Sequence, residues 1–401
     1  MIDIIGGSYY ELCIDPTWDE LFGSGFRAAV GLSTKIEKLR FHTYADTLTK
    51  RALEMIASQL SFDINVQLID KSICFVYQHP LANPYFYPDK NEFSNLTPLN
   101  LRKVEQGLCF GMIEGNAIVQ ADRIIYDPQK PFRPLSFSQN GSTAKELVYI
   151  LNLNEAKLLC EAEDIETISQ YLINREGCCA AVIKNGPFGA MLVDHAGKIT
   201  NIPSYETQNV WPIGSGDIYS AAFAFEWLIR RTAIKEAAQS ASLATANFAN
   251  NNSLPIQLEN HYSFQPFFDK STNIKNIYLA GPFFNMGQRW LIDQCRDALV
   301  NLGFNVFSPL HDVGIGSPDE VVSKDIQGLS DCHTVFAIVD GLDSGTMFEL
   351  GYAKSLNKKI VCLCESEKPE ALTMLIGTDC VIAKDFATAI YKTVWETYNN
   401  E

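Results

Sequence analysis

The sequence predicts an α/β fold in two domains, on three observations. Short apolar runs alternate with amphipathic helical stretches along the chain, the pattern of parallel strands joined by crossover helices. Two of these runs, IDII at 2–5 and NIYLA at 276–280, each stop at a glycine turn, so the pattern begins twice. Between them residues 251–275 are polar, contain Pro255 and Pro266 and keep no period. With 401 residues the chain exceeds one ordinary core. We divide it into residues 1–260, a linker at 261–275 and a smaller domain at 276–401.

Residues 2–5 read as a buried strand running into Gly6-Gly7. GSGF at 23–26 is a second glycine turn, opening an Ala-rich helix toward Lys38. A further helix is expected over 44–60, with Leu48, Ala52, Met55, Ile56 and Leu60 on one face. Strand-like runs follow at 64–69, 73–77, 107–112 and 117–125. The segment 79–100, rich in Pro, Asn and aromatic residues, reads as a lid or an irregular loop. LVYIL after 146 is a strand, NLNEAKLL starts a helix, and AAVIK at 180–184 is a strand ending in NGPFG. AMLVD and KITNIP form a hairpin. Gly214-Ser215-Gly216 then opens a long apolar helix, and another covers 233–250.

The second domain reads as strand 276–280, helix 285–302, strand 304–307 and helix 318–329. Strand 333–339, the stretch DGLDSGTMFELGYA at 340–353, strand 359–364 and a last helix at 384–398 complete it. A parallel sheet with helices on both faces is expected in each domain.

The net charge of −15 argues against non-specific binding to nucleic acid or an anionic membrane. No apolar run approaches a membrane span and the N-terminus shows no signal peptide. The eleven cysteines are scattered without zinc-like spacing. Reduced thiols in a cytoplasmic protein, with no metal site of their own, are the expectation.

Two glycine turns carry the chemistry. In GSGD the backbone N–H groups of a helix start point at one place, an anion site, with Asp217 beside it. Such an aspartate takes a proton from a hydroxyl while the N–H groups hold a phosphoryl group, or it simply caps the helix. In the second turn Asp340 ends a strand, Ser344 or Thr346 caps a new helix, and Glu349 falls in its first turn. The helix dipole there favours the ionised carboxylate by about 0.3–1 kcal/mol. Glu349 is then either a nucleophile at the carboxyl end of a parallel strand or an ordinary acidic helix residue.

Residues 1–260 resemble the PfkB, or ribokinase-like, family of carbohydrate and nucleoside kinases. The resemblance rests on IIGG at 4–7, GSG at 23–25, NLNEAK at 152–157, VIKNGPFGAML at 182–192 and GSGD at 214–217. It implies a ribokinase-like α/β sandwich, with Asp217 as catalytic base and Gly214, Ser215 and Gly216 as the anion hole. It further implies Gly186 and Gly189 near a nucleotide, and Asn154 and Glu155 near magnesium and phosphates. ATP and Mg2+ are the group such a half would take. Three positions depart from the pattern. Trp211-Pro212 replace an Asp-Thr pair, Lys157 stands where a second acidic residue is expected, and no Asn occurs between Gly23 and Leu60.

Residues 276–398 resemble the nucleoside 2-deoxyribosyltransferase family. The carrying stretches are IYLAGPFF at 277–284, SKDIQGLSDC at 323–332 and DGLDSGTMFELGYAKSLNKKIVCL at 340–363. The resemblance implies a flavodoxin- or Rossmann-like doubly wound parallel sheet, no cofactor, and a homo-oligomer. By it Glu349 attacks the anomeric carbon, Asp343 and Asp325 handle the leaving base and substrate, and Tyr278 positions the nucleophile. Gly281, Pro282, Phe283, Asp340 and Gly345 would line the substrate. The chemistry needs such a set. An oxocarbenium-like transition state calls for one ionised carboxylate below the sugar, and the departing base for an acid.

Two functions follow. One is exchange or cleavage of a nucleoside N-glycosidic bond, fused to a sugar or nucleoside kinase. The other is hydrolysis of a nucleoside 5′-monophosphate beside a non-catalytic nucleotide sensor. Arg289 and Arg296 are surface charges or reach a 5′-phosphate; His311 and His333 are expected to be structural.

Overall fold

The structure, a computed structural model, describes residues 1–89, 96–129, 134–258, 263–268, 273–314 and 316–399. It forms two compact units, 1–207 with 211–268, and 208–210 with 269–401.

The first unit runs β1 (Ile2–Ile5), β2 (Tyr10–Cys13), β3 (Trp18–Leu21), α1 (Ser24–Leu32), β4 (Leu39–Ala45), α2 (Thr47–Leu60) and β5 (Asp63–Leu68). It continues with β6 (Cys74–Tyr77), β7 (Tyr85–Tyr87), β8 (Leu99–Phe110), β9 (Ala117–Asp127), β10 (Thr143–Asn152), α3 (Leu153–Cys160) and α4 (Ile165–Gln170). Then come β11 (Ala180–Lys184), β12 (Ala190–Asp194), β13 (Ile199–Ile202), β14 (Ser204–Glu206), α5 (Ser215–Ala224), α6 (Ile234–Asn251) and β15 (Gln265–Phe267).

Nine strands make one sheet in the order β13-β12-β11-β10-β9-β8-β1-β4-β5. It is parallel from β11 to β5, and only the β11–β12–β13 edge is antiparallel. Both faces are covered, so its strands are apolar on both sides. In β10, Val148 and Ile150 pack with Phe26, Phe223 and Ala238, while Tyr149 and Leu151 pack with Ala156 and Ile168. A second sheet, β3-β2-β6-β7, stands apart from it.

The structure corrects several expectations here. The helix expected to reach Lys38 ends at Leu32, and LRFHTYA over 39–45 is the buried strand β4. Asp46 then caps α2, its side chain accepting from Thr49 N at 2.8 Å, which starts the helix at Thr47. The buried face of α2 is Thr49, Leu53 and Ala57, whereas Leu48 and Met55 are exposed. Within 79–100, Tyr85–Tyr87 is a strand, while 90–95 lies outside the described residues. Gln265–Phe267, inside the expected linker, pairs with β14.

The second unit runs β16 (Asn276–Ala280), α7 (Met286–Asn301), β17 (Asn305–Phe307), α8 (Pro318–Asp331), β18 (Thr334–Ile338) and α9 (Ser344–Ser355). β19 (Lys359–Leu363), α10 (Thr373–Gly377), β20 (Val381–Ala383) and α11 (Phe386–Tyr398) follow. Its five strands are all parallel, in the order β17-β16-β18-β19-β20. Counted within the unit this is 2-1-3-4-5, a doubly wound sheet whose direction switches between β16 and β18. One face buries Tyr278, Ala280, Val335, Ala337, Ile360 and Cys362 with Leu329, Leu350 and Ala353 from α8 and α9. No helix among the described residues is long and apolar enough to cross a membrane.

Candidate functional site

The loops that leave the carboxyl ends of β16 and β18 flank the switch of strand direction, where open parallel sheets form a crevice. Gly281 lies here in tight packing: a Cβ would stand 3.0 Å from Ile292 Cδ1 and 3.1 Å from Ile338 Cβ. Pro282 is buried, Phe283 partly so, and Phe284 is exposed.

Tyr278, fully buried in β16 and stacked on Phe307, donates its hydroxyl to Glu349 Oε1 at 2.7 Å. Glu349 comes from α9, which starts at Ser344, so it sits in the second turn rather than the first. The dipole falls off within one turn. Burial therefore governs, and pushes the Glu349 carboxyl up to about 7. The Tyr278 hydrogen bond opposes this, while the charges of Asp325 and Asp343 add to it. Burial likewise raises the Asp325 carboxyl, whose Oδ1 is buried without a hydrogen-bond partner.

Asp343, not Ser344 or Thr346, caps α9. Its Oδ2 accepts from Thr346 N at 2.8 Å and from Thr346 Oγ1 at 3.0 Å. Gly345 is exposed, and a Cβ there would meet Asp343 Oδ2 at 3.1 Å. Asp340 braces the neighbouring loop, accepting from Glu365 N at 2.8 Å, Ser366 N at 2.7 Å and Ser366 Oγ at 2.6 Å. Burial would raise its pKa, but these bonds outweigh it and hold the carboxyl below the usual range. Tyr278, Asp325, Asp343 and Glu349 thus interact as one group, and Asp340 serves the loop. His311 bridges Ser308 Oγ and Asp293 Oδ1, and His333 accepts from Asn276 N, both scaffold contacts. Arg289 is exposed and donates from Nε to Phe283 O at 2.9 Å.

In the first unit the GSG turn leads α5, with Gly214 in the left-handed region at φ 77°. Buried charges surround it. Arg27, on α1, pairs with both Glu11 on β2 and Asp217, donating from Nη1 to Asp217 Oδ2 at 2.7 Å. Gln129 Nε2 donates to the other Asp217 oxygen at 2.7 Å. Lys184, at the end of β11, pairs with Asp127 Oδ2 at 3.0 Å, and Ser220 Oγ donates to the same oxygen at 2.8 Å. Asp127 Oδ1 is buried without a partner. Burial pushes the Glu155 carboxyl up to about 7, with Asp127 adding to it.

Asn152 caps α3 and forms a reciprocal capping box with Glu155. Asn154 is exposed, and Lys157 turns to Glu163 at 2.8 Å. Gly186 and Gly189 flank a short 3-10 turn. At Gly189, φ 88°, a Cβ would collide with Ile202 O at 2.2 Å, so that glycine already has a packing reason.

A magnesium nucleotide needs carboxylate oxygens free to take the cation. Here Asp217 has both oxygens engaged and Asp127 shares one with Lys184 and Ser220. Among the described residues no group of three or more His, Cys, Asp or Glu is arranged to hold a metal ion. Of the four oxygens of Asp127 and Asp217, Asp127 Oδ1 has no partner and is the one left open to such a cation.

Glu11, Arg27, Asp127, Gln129 and Lys184 were missed in the sequence. Asp127 and Lys184 had a readable signal, as charges ending apolar parallel strands. Arg27 had none, since its partner Asp217 lies 190 residues away in the chain, and Glu11 enters only through Arg27.

Residues 277–384 match the family model described as nucleoside 2-deoxyribosyltransferase, a span holding Tyr278, Asp325, Asp343 and Glu349. Comparison with curated proteins finds no match. Solved structures similar to the chain include a Burkholderia thailandensis nucleoside kinase in complex with inosine, at 16% identity over 68% of this chain and 100% of that one, TM-score 0.49. Ribokinase from Thermotoga maritima is similar at 16% identity over 63% and 94%, TM-score 0.45. A Methanocaldococcus jannaschii nucleoside kinase, an archaeal member of the ribokinase family, is similar at 12% over 63% and 93%, TM-score 0.47. The chain thus carries a nucleoside 2-deoxyribosyltransferase domain at 277–384, and the solved structures similar to it include ribokinase-family kinases.

Proposed function

We propose that the second unit cleaves or exchanges the N-glycosidic bond of a nucleoside or deoxynucleoside, with Glu349 as nucleophile. The carrying observation is the 2.7 Å bond from Tyr278 to Glu349, within reach of the Asp325 and Asp343 charges. Ionised Glu349, held in place by Tyr278, forms the bond to the anomeric carbon as the base departs. Asp325, whose carboxyl is raised by burial, carries the proton to the leaving base, and Asp343 holds the start of α9. An acceptor base or water then takes the sugar. The assembly is a homo-oligomer in this reading.

A phosphorylated substrate, cleaved by water, is the second reading. Arg289 favours it: its Nε is fixed on Phe283 O beside the Gly281–Phe284 loop, which leaves the outer nitrogens for a phosphate. For the first unit we favour a non-catalytic sensor of a nucleotide over a kinase, because Asp217 is paired to Arg27.

The test incubates the protein with deoxyinosine plus adenine and, separately, with deoxynucleoside monophosphates in water. Deoxyadenosine formed in the first mixture supports transfer. Deoxyribose 5-phosphate without base exchange replaces it by the second reading. Full activity in Glu349→Ala would falsify the nucleophile assignment.

A further inference from the structure

We propose that Arg27 is the residue that silences phosphoryl transfer in the first unit, by occupying both the base and the space over the anion hole. This rests on reading that unit as kinase-like.

The placement follows from the sequence. Arg27 belongs to α1, which starts at Ser24 inside the GSG turn, and β3 separates it in the chain from β2. From there its side chain reaches back to Glu11 and across to α5. It is 2% exposed, with Glu11 and Asp217 side chains at 6% and 11%. Glu11 is itself fixed, accepting from Gly23 N at 3.0 Å. The guanidinium also lies over the Phe22 ring, 4.9 Å from its centroid. Every part of the arginine is held.

Two consequences bear on transfer. First, a base must have a lone pair facing the hydroxyl it deprotonates. Asp217 presents one oxygen to Arg27 and the other to Gln129. Second, the guanidinium is pressed on the first residue of the anion hole. A Cβ on Gly214 would be 2.2 Å from Arg27 Nε and 2.3 Å from its Cζ. A phosphoryl group moving between donor and acceptor beside Asp217 would have to enter space the arginine fills.

Displacing Arg27 is disfavoured by the surrounding charge. Arg27 and Lys184 face Glu11, Asp127 and Asp217, with Glu155 nearby. Removing the arginine from this group leaves buried carboxylates without a cation. A neutral sugar or nucleoside brings no charge to replace it.

The experiment uses the full chain and measures ADP formed from MgATP with inosine, adenosine, ribose or deoxyribose as acceptor. The wild-type protein is expected to stay at background. The charge-balanced double variant Glu11→Gln with Arg27→Gln is expected to form ADP at least tenfold faster, an increase lost again when Asp217→Asn is added. Should the double variant lack a cooperative melt, Glu11→Gln with Arg27→Leu, equally charge-balanced and without a cation on Asp217, is read the same way. Wild-type turnover that disappears in Asp217→Asn overturns the proposal. So does background ADP in a folded variant that binds MgATP by calorimetry. Absence of nucleotide binding in both proteins instead overturns the kinase-like reading, and the proposal with it.

Discussion

Tyr278 and Glu349 lie on different elements, a buried strand and the second turn of a helix, and are joined by a single hydrogen bond of 2.7 Å. That bond is the one interaction around Glu349 that lowers its pKa, against burial and two neighbouring carboxylates. It therefore offsets part of the rise and keeps more of the nucleophile ionised near neutral pH.

Tyr278→Phe removes the bond and keeps the ring on Phe307. A hydrogen bond to a charged group contributes about 1.5–3 kcal/mol, so the acid limb of kcat/KM should move upward by roughly one to two pH units. The variant is expected to be most impaired at pH 6 and to recover toward pH 9. A profile of unchanged shape would mean that Tyr278 acts only as core.

Glu349→Gln tests the same carboxyl through stability. Its folded pKa, about 7, lies above an unfolded value near 4.5. The fold thus prefers the protonated form. Stability from this group is fully present below about pH 4.5 and is lost as pH rises through 7. At pH 8 the ionised carboxylate costs about 3 kcal/mol, so the neutral glutamine should melt at a higher temperature there. The two proteins should converge toward pH 5. Activity should fall to background at every pH.

How far the sequence carried these conclusions depends on the range of each interaction. DGLDSGTMFELGYA announced strand, turn and helix because those signals are local, and β16, β11 and the 190–202 hairpin were legible for the same reason. The cap was misassigned to Ser344 or Thr346 because Asp343, Ser344 and Thr346 are each competent caps, and only geometry selects Asp343. β4 was hidden because Leu39–Ala45 carries Arg40, His42 and Thr43, and the burial of His42 and Thr43 depends on partners elsewhere. One is Asp3, 2.8 Å from His42 Nε2. The ionised state of Glu349 was misjudged for a related reason. A helix position is readable from spacing, but burial against Tyr278 is not.

Asp343 has two separable duties. Asp343→Ala removes the cap of α9, which costs about 1 kcal/mol and loosens the helix carrying Glu349. Asp343→Asn keeps an acceptor for Thr346 N, so its melting temperature should stay near that of the parent protein. It also removes one of the charges that raise the Glu349 pKa. If Asp343 acts only as a cap, the asparagine variant retains activity within about threefold. A loss of 10²-fold or more in the folded asparagine variant would give it a part in proton handling, since positioned acids contribute about 10²–10⁴-fold.

Asp325→Asn separates the electrostatic role of Asp325 from its role as acid. The Asp325 charge raises the Glu349 pKa, so removing it should lower that pKa and move the acid limb of kcat/KM downward, opposite to Tyr278→Phe. The asparagine cannot give a proton, so the maximal rate should fall with nucleosides whose base must be protonated to leave. With a substrate whose leaving group departs unprotonated, such as a nitrophenyl deoxyriboside, the rate loss should vanish while the shift of the acid limb remains. The buried Oδ1 of Asp325 now lacks a partner, so the amide introduces no lost hydrogen bond at that atom, and the melting temperature should hold or rise above pH 7. A loss of rate equal for both substrates would remove Asp325 from proton transfer and leave it a neighbouring charge.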